Sequence, residues 1–111
     1  MMNRLAEYRK LSNYEYEVLK KILIPLQSPI RRRELCKRRE YVATYLHYQH
    51  NLPLTLIGKL FNRHHTSIMN SIDNYTFSVE HYPNYYIDTE DYLIKIINEI
   101  KNVLTNKRYN D

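Results

Sequence analysis

The chain has 111 residues, 26% of them charged and 13% aromatic, with a formal net charge of +5, a single glycine and a single cysteine. That length suits one domain with a modest core. One glycine cannot supply the two that a Walker A loop needs, which excludes a P-loop nucleotide site, and so few glycines argue against an all-β fold rich in tight turns. In chain order, Leu5, Tyr8 and Leu11 fall in phase and predict a short helix over residues 2–11. Ser12 or Asn13 can cap a second helix, with Leu19, Ile22, Leu23 and Leu26 as its buried stripe and Pro25 and Pro29 as its stop. Residues 27–37, QSPIRRRELCK, read as a loop in which Arg31, Arg32 and Arg33 can fan over a polyanion. A third helix is expected from about residue 38 to 50, with Val42, Tyr45, Leu46 and Gln49 in phase.

The next stretch organises the chain. Leu54, Ile57 and Phe61 recur at helical spacing, Asn62 and Arg63 interrupt the pattern, and Ile68, Ile72, Tyr75 and Val79 resume it. Two helices around a tight polar break form a helix-turn-helix outline. The first turns of the second helix would carry Arg63, His64, His65, Thr66, Ser67 and Asn70. These are the hydrogen-bonding side chains that a helix needs to read base edges in a major groove. Gly58, inside the first of the two helices, costs about 1 kcal/mol against alanine there; close approach of the second helix would explain it. That second helix should run to residue 79 or 80, with Pro83 ending it. After a loop through residues 81–86, Asp88 or Thr89 would cap a last helix. Its stripe is Leu93, Ile96, Ile97, Ile100, Val103 and Leu104, and a tail follows from Lys107. The expectation is a single all-α domain of about five to six helices, with residues 1–30 as an N-terminal helical extension, 31–80 as the basic loop and helix-turn-helix, and 81–111 as loop and C-terminal helix.

The charge is uneven. Residues 31–70 hold eight Lys/Arg and two acids, whereas the rest of the chain holds nine Lys/Arg and ten acids. The whole excess lies on and just before the helix-turn-helix, the footprint of a phosphate-binding face.

IGKLFNRHHTSIMNSI, residues 57–72, resembles the signature of the C-terminal DNA-binding domain of the bacterial replication initiator DnaA. Ile57, Gly58, Phe61, Arg63, His65 and Thr66 match; Ser67 and Ile68 are conservative replacements. Two positions depart, His64 where the family has Asp and Asn62 where its turn is rich in glycine; Pro53 also stands where the family often has a capping Ser. The resemblance implies a small helical fold of the Trp-repressor-like kind and sequence-specific binding of double-stranded DNA. It makes His65 and Thr66 the foremost base-contacting residues. It also implies a basic loop ending in an arginine that enters the minor groove; ungapped counting from Gly58 puts that arginine at Arg39, and a one-residue shift puts it at Arg38. A narrow A·T-rich minor groove favours such a guanidinium. Asn70 is placed to reach an adenine, and Arg31, Arg32, Arg33, Lys37 and Lys59 to hold phosphates. About five to six such contacts give a log–log salt slope near −5. Histidine contacts would make binding weaken as pH rises above ~6.5.

Other chemistry finds little support. His47 and His50 stand three apart and His64 and His65 are adjacent, but no cysteine pair or spaced carboxylate completes a metal site, so no metal or cofactor is expected. No nucleophile motif marks an enzyme. Glu90 and Asp91 suit a helix start better than catalysis. The twelve tyrosines read as core and rim residues. Cys36 alone excludes an internal disulfide and suits a reducing compartment, and no apolar run approaches the ~18 residues of a membrane span. The expected setting is cytoplasmic and nucleoid-associated, with a role in replication initiation or transcription regulation and a phage or mobile element as a plausible home. The rival is a helical protein–protein interaction module, with a protein partner held through the N-terminal segment and last helix; Tyr14, Tyr16 and Lys20 are candidates for that surface.

Overall fold

A computed structural model describes residues 8–105. Among them every regular element is helical: α1 (Asn13–Ile22), α2 (Arg33–Gln49), α3 (Leu54–Phe61), α4 (His65–His81) and α5 (Glu90–Thr105), with short 3₁₀ turns at Ile24–Leu26 and Ile87–Thr89. The protein is a small all-α domain, and none of these helices is long and apolar enough to cross a membrane. Of the expected first helix, residues 2–7 and the terminal tail from residue 106 lie outside the described residues. Residues 8–12 are not helical. They form a strap instead: Arg9 donates from its backbone to the Asn51 carbonyl at 2.9 Å, and from its guanidinium to Glu15 at 2.8 Å and to the Leu104 carbonyl at 2.9 Å.

Helix α1 starts where a capping signal stands. Ser12 Oγ accepts from the Glu15 backbone at 3.1 Å while the Glu15 carboxylate accepts from the Ser12 backbone at 2.9 Å, a reciprocal capping box. Leu19, Leu23 and Leu26 then point inward with no exposed surface. Helix α2 begins five residues earlier than the sequence pattern suggested, so the arginine loop shrinks to residues 27–32. The reason is tertiary: Lys37 and Arg39 on its first turns find partners inside the protein, which stabilises helix where the polar sequence alone reads as loop. Its buried stripe is Val42, Ala43 and Leu46, while Gln49 faces solvent.

The core gathers Ile57, Leu60 and Phe61 from α3, Ile68 and Ile72 from α4, and Leu93, Ile96, Ile100, Val103 and Leu104 from α5 around those α1 and α2 residues. Helix α2 packs most extensively on α4, and α1 on α5. Val79, expected in the α4 stripe, is 46% exposed; Ser78 is buried in its place. Ile97 is half-buried at the edge of the α5 stripe.

Candidate nucleic-acid interface

Helices α3 and α4 are joined by three residues. Asn62 adopts the left-handed conformation (φ 56°, ψ 44°) that ends α3, one that asparagine tolerates better than most residues. Its backbone N–H turns back to Lys59, and that of Arg63 to the Gly58 carbonyl at 2.7 Å. Space at this crossing is why residue 58 is glycine: a Cβ there would lie 2.5 Å from the Arg63 carbonyl oxygen and 3.4 Å from the His65 nitrogen. Helix α1 braces the same turn. Lys20 Nζ donates to the Lys59 carbonyl at 2.6 Å and to Asn62 at 2.9 Å, and Gln27 donates to the Lys20 and Leu60 carbonyls. Lys20, a candidate for a partner surface, is thus occupied in holding the turn.

His64 caps α4. Its Nδ1 accepts from the Thr66 backbone N–H at 3.2 Å and lies 3.1 Å from the Thr66 hydroxyl. The His65 ring lies against the His64 ring at 4.3 Å, tilted by 34°. His64, His65, Thr66 and Asn70 are exposed and Ser67 is half-buried. On the opposite side of the helix, Ile68 and Ile72 anchor it in the core. The tip of α4 is therefore a polar, donor-rich surface on a rigid base. Met69, 45% exposed between Thr66 and Asn70, belongs to it as well. A search for polar residues alone passes over Met69; its spacing, three residues after Thr66, is the signal that finds it.

The basic residues divide into two groups. Arg31, Arg32, Arg33 and Lys59 are exposed. Arg31 shares a polar cleft of about 360 Å³ with Arg63, Ser67 and Asn70, so the arginine loop borders the first two turns of α4. The other three expected contacts are turned inward. Lys37 is buried, donating to the Tyr85 carbonyl at 2.8 Å and to Asp88 at 3.1 Å with its ammonium over the Tyr85 ring. Arg38 donates to Thr89 at 2.7 Å and Glu34 at 3.2 Å, with its guanidinium 3.9 Å from the centre of the Tyr92 ring. Arg39 is 4% exposed, donating to the Ser28 carbonyl at 3.0 Å and the Ile30 carbonyl at 3.2 Å. In this arrangement Lys37 and Arg39 are buried on the protein's own groups, and Arg38, half-buried, would have to leave Glu34 and Thr89 to enter a minor groove. A count of charges cannot see this, because a long cationic side chain is equally able to fold back onto carbonyls and rings.

Arg63 is intermediate. Its guanidinium donates to the Ser28 carbonyl at 2.8 Å, and its Nε is buried with no hydrogen-bond partner. Burial, then the neighbouring Arg39 charge, holds it below the ordinary arginine range. Among the histidines on α2, His47 lies 2.9 Å from the Leu52 carbonyl and His50 lies 2.8 Å from the Tyr45 hydroxyl. A carbonyl only accepts, so His47 Nδ1 carries a proton and the ring braces the α2–α3 junction. No group of three metal-binding side chains occurs among the described residues. No protein-family model, curated protein or solved structure matches the chain.

Proposed function

We propose that the protein binds double-stranded DNA sequence-specifically, with α3, the Asn62 turn and α4 serving as a helix-turn-helix like that of the DnaA C-terminal domain. One observation carries this reading: α4 buries Ile68 and Ile72 while His64, His65, Thr66 and Asn70 face outward, with Arg31 of the 27–32 loop sharing a cleft with Asn70. His65 and Thr66 would touch base edges, Asn70 an adenine, and Met69 the methyl of a thymine. Arg31, Arg32, Arg33 and Lys59 would hold phosphates. Such a chain would act in replication initiation or in transcription regulation. Selection of duplexes from a random pool tests the reading. A preferred site should emerge, and Thr66→Val should weaken it by about 1–3 kcal/mol with little effect on random duplex. Equal losses on both would leave Thr66 only a backbone contact, and a pool without enrichment would remove sequence specificity altogether.

A protein-interaction module is the second reading, favoured by a groove of about 510 Å³ between α4 and α5. Val79, Ile87 and Ile94 line it at 46%, 62% and 55% exposure. Loss of all duplex binding to excess random competitor would turn the choice toward it.

A further inference from the structure

The cleft between α2 and α4, with Arg31 of the 27–32 loop on its edge, is lined by three arginines, Arg31, Arg39 and Arg63. None of them pairs with a carboxylate among the described residues. Arg39 is satisfied by backbone carbonyls, two of them on the loop it supports. Arg63 is not: one nitrogen reaches Ser28, and Nε is the one buried side-chain polar atom without a partner among the described residues. Arg31 is exposed at the mouth. The Arg39 charge bears on Arg63, and burial sharpens that repulsion. Two carboxylates also line the cleft, and the Glu40 charge offsets that of Arg39 in part. Glu40 is buried and accepts from the Tyr86 hydroxyl at 2.9 Å, while Asp73 is exposed one turn beyond Asn70. The same cleft is lined by Ser67 and Asn70, while Asn74 is hydrogen-bonded to Glu40.

We infer that this cleft is a seat for one phosphate group, held by Arg31 and Arg63 from the loop and turn and by Ser67 and Asn70 from α4. Two guanidiniums and two neutral donors match the acceptor oxygens of a tetrahedral oxyanion, and charge-assisted bonds of this kind are the strong ones. The seat deepens the DNA reading, which supplies the source: a backbone phosphodiester lodged there would lock the loop against α4 and set the register of its tip on the duplex. A free phosphate or phosphorylated small molecule offers the same chemistry, so the test separates the sources.

The full chain, ¹⁵N-labelled, is titrated with inorganic phosphate and, at matched ionic strength, with chloride. The seat requires saturable movement of the Ser67 amide, the Asn70 side-chain amide and the Arg63 Nε–H with phosphate and not with chloride. Arg31→Gln removes an exposed side chain and should weaken that response about tenfold. In a second arm, duplex affinity is measured against salt for wild type and Arg31→Gln; a seated phosphodiester predicts a slope shallower by about 1 in the variant. A phosphate response without duplex binding, or with the same slope in both proteins, supports the seat and assigns it to free phosphate. In the first of those cases the DNA reading fails while the seat stands. Identical responses to phosphate and chloride overturn the seat, and duplex binding that persists in that case leaves the DNA reading intact.

Discussion

Arg39 and Arg63, twenty-four positions apart, both donate to the Ser28 carbonyl, at 3.0 and 2.8 Å. Two cations, one buried and one half-buried, on one carbonyl make Ser28 the hinge pin of the arginine loop, and they explain why residues 27–32 hold a shape despite having no regular secondary structure. Removing Arg39 would leave loop carbonyls without donors and a gap beneath them. Arg39→Ala should therefore cost about 2–3 kcal/mol in chemical denaturation. On DNA the variant should lose affinity evenly across sequences, because the loop is misplaced and no base contact is lost. A fully stable Arg39→Ala with altered preference at a single base pair would reverse this assignment and restore the minor-groove role.

At the scale of elements, the α3–α4 crossing depends on a missing side chain. Alanine is the better helix former by about 1 kcal/mol, yet at position 58 its Cβ would meet the Arg63 carbonyl at 2.5 Å. The atom it meets is backbone, so the turn itself must move. Gly58→Ala should destabilise the protein by about 1–3 kcal/mol in urea, the usual range for overpacking, and should shift the amide signals of residues 62–66. A gain in stability would mean that the two helices can separate without cost. Lys20 and Gln27 act on the same joint from α1, so the N-terminal helix serves the turn as well as the core.

Across the whole molecule, the exposed arginines are spread along α4: Arg31 borders its first turns, while Arg33 shares a hollow with His81 and Tyr82 at its other end, next to the apolar groove at Val79, Ile87 and Ile94. With Lys37 and Arg39 buried and Arg38 engaged by Glu34 and Thr89, the cations left for a polyanion are Arg31, Arg32, Arg33, Lys59 and, through the cleft, Arg63. The salt dependence of duplex binding should accordingly be about −4.5 in log–log slope, a little shallower than −5. A measured slope near zero would mean that the basic face meets no phosphates.

Helical periodicity sufficed to locate α3, the break at Asn62, α4 and α5, because leucine, isoleucine and phenylalanine at 3.6-residue spacing have one way to be buried together. It also sufficed to single out the polar tip of α4, since the positions between Ile68 and Ile72 must face away from the core. Ser12 announced the start of α1 through its own side-chain chemistry. The tertiary structure alone decided the fate of the cations. A lysine or arginine has a long apolar stem and a charge that water, a carbonyl, a tyrosine ring or a phosphate can satisfy, and nothing local selects among them. Lys37 became a brace for Tyr85 and Asp88, and Arg39 a brace for the loop, because the chain folds back on α2 from both sides, from far along the sequence at Lys37 and from just before the helix at Arg39. The same closure lengthened α2 backward through Arg33 and brought Arg31 beside Asn70, a juxtaposition that depends on how helices pack and is invisible to the order of residues.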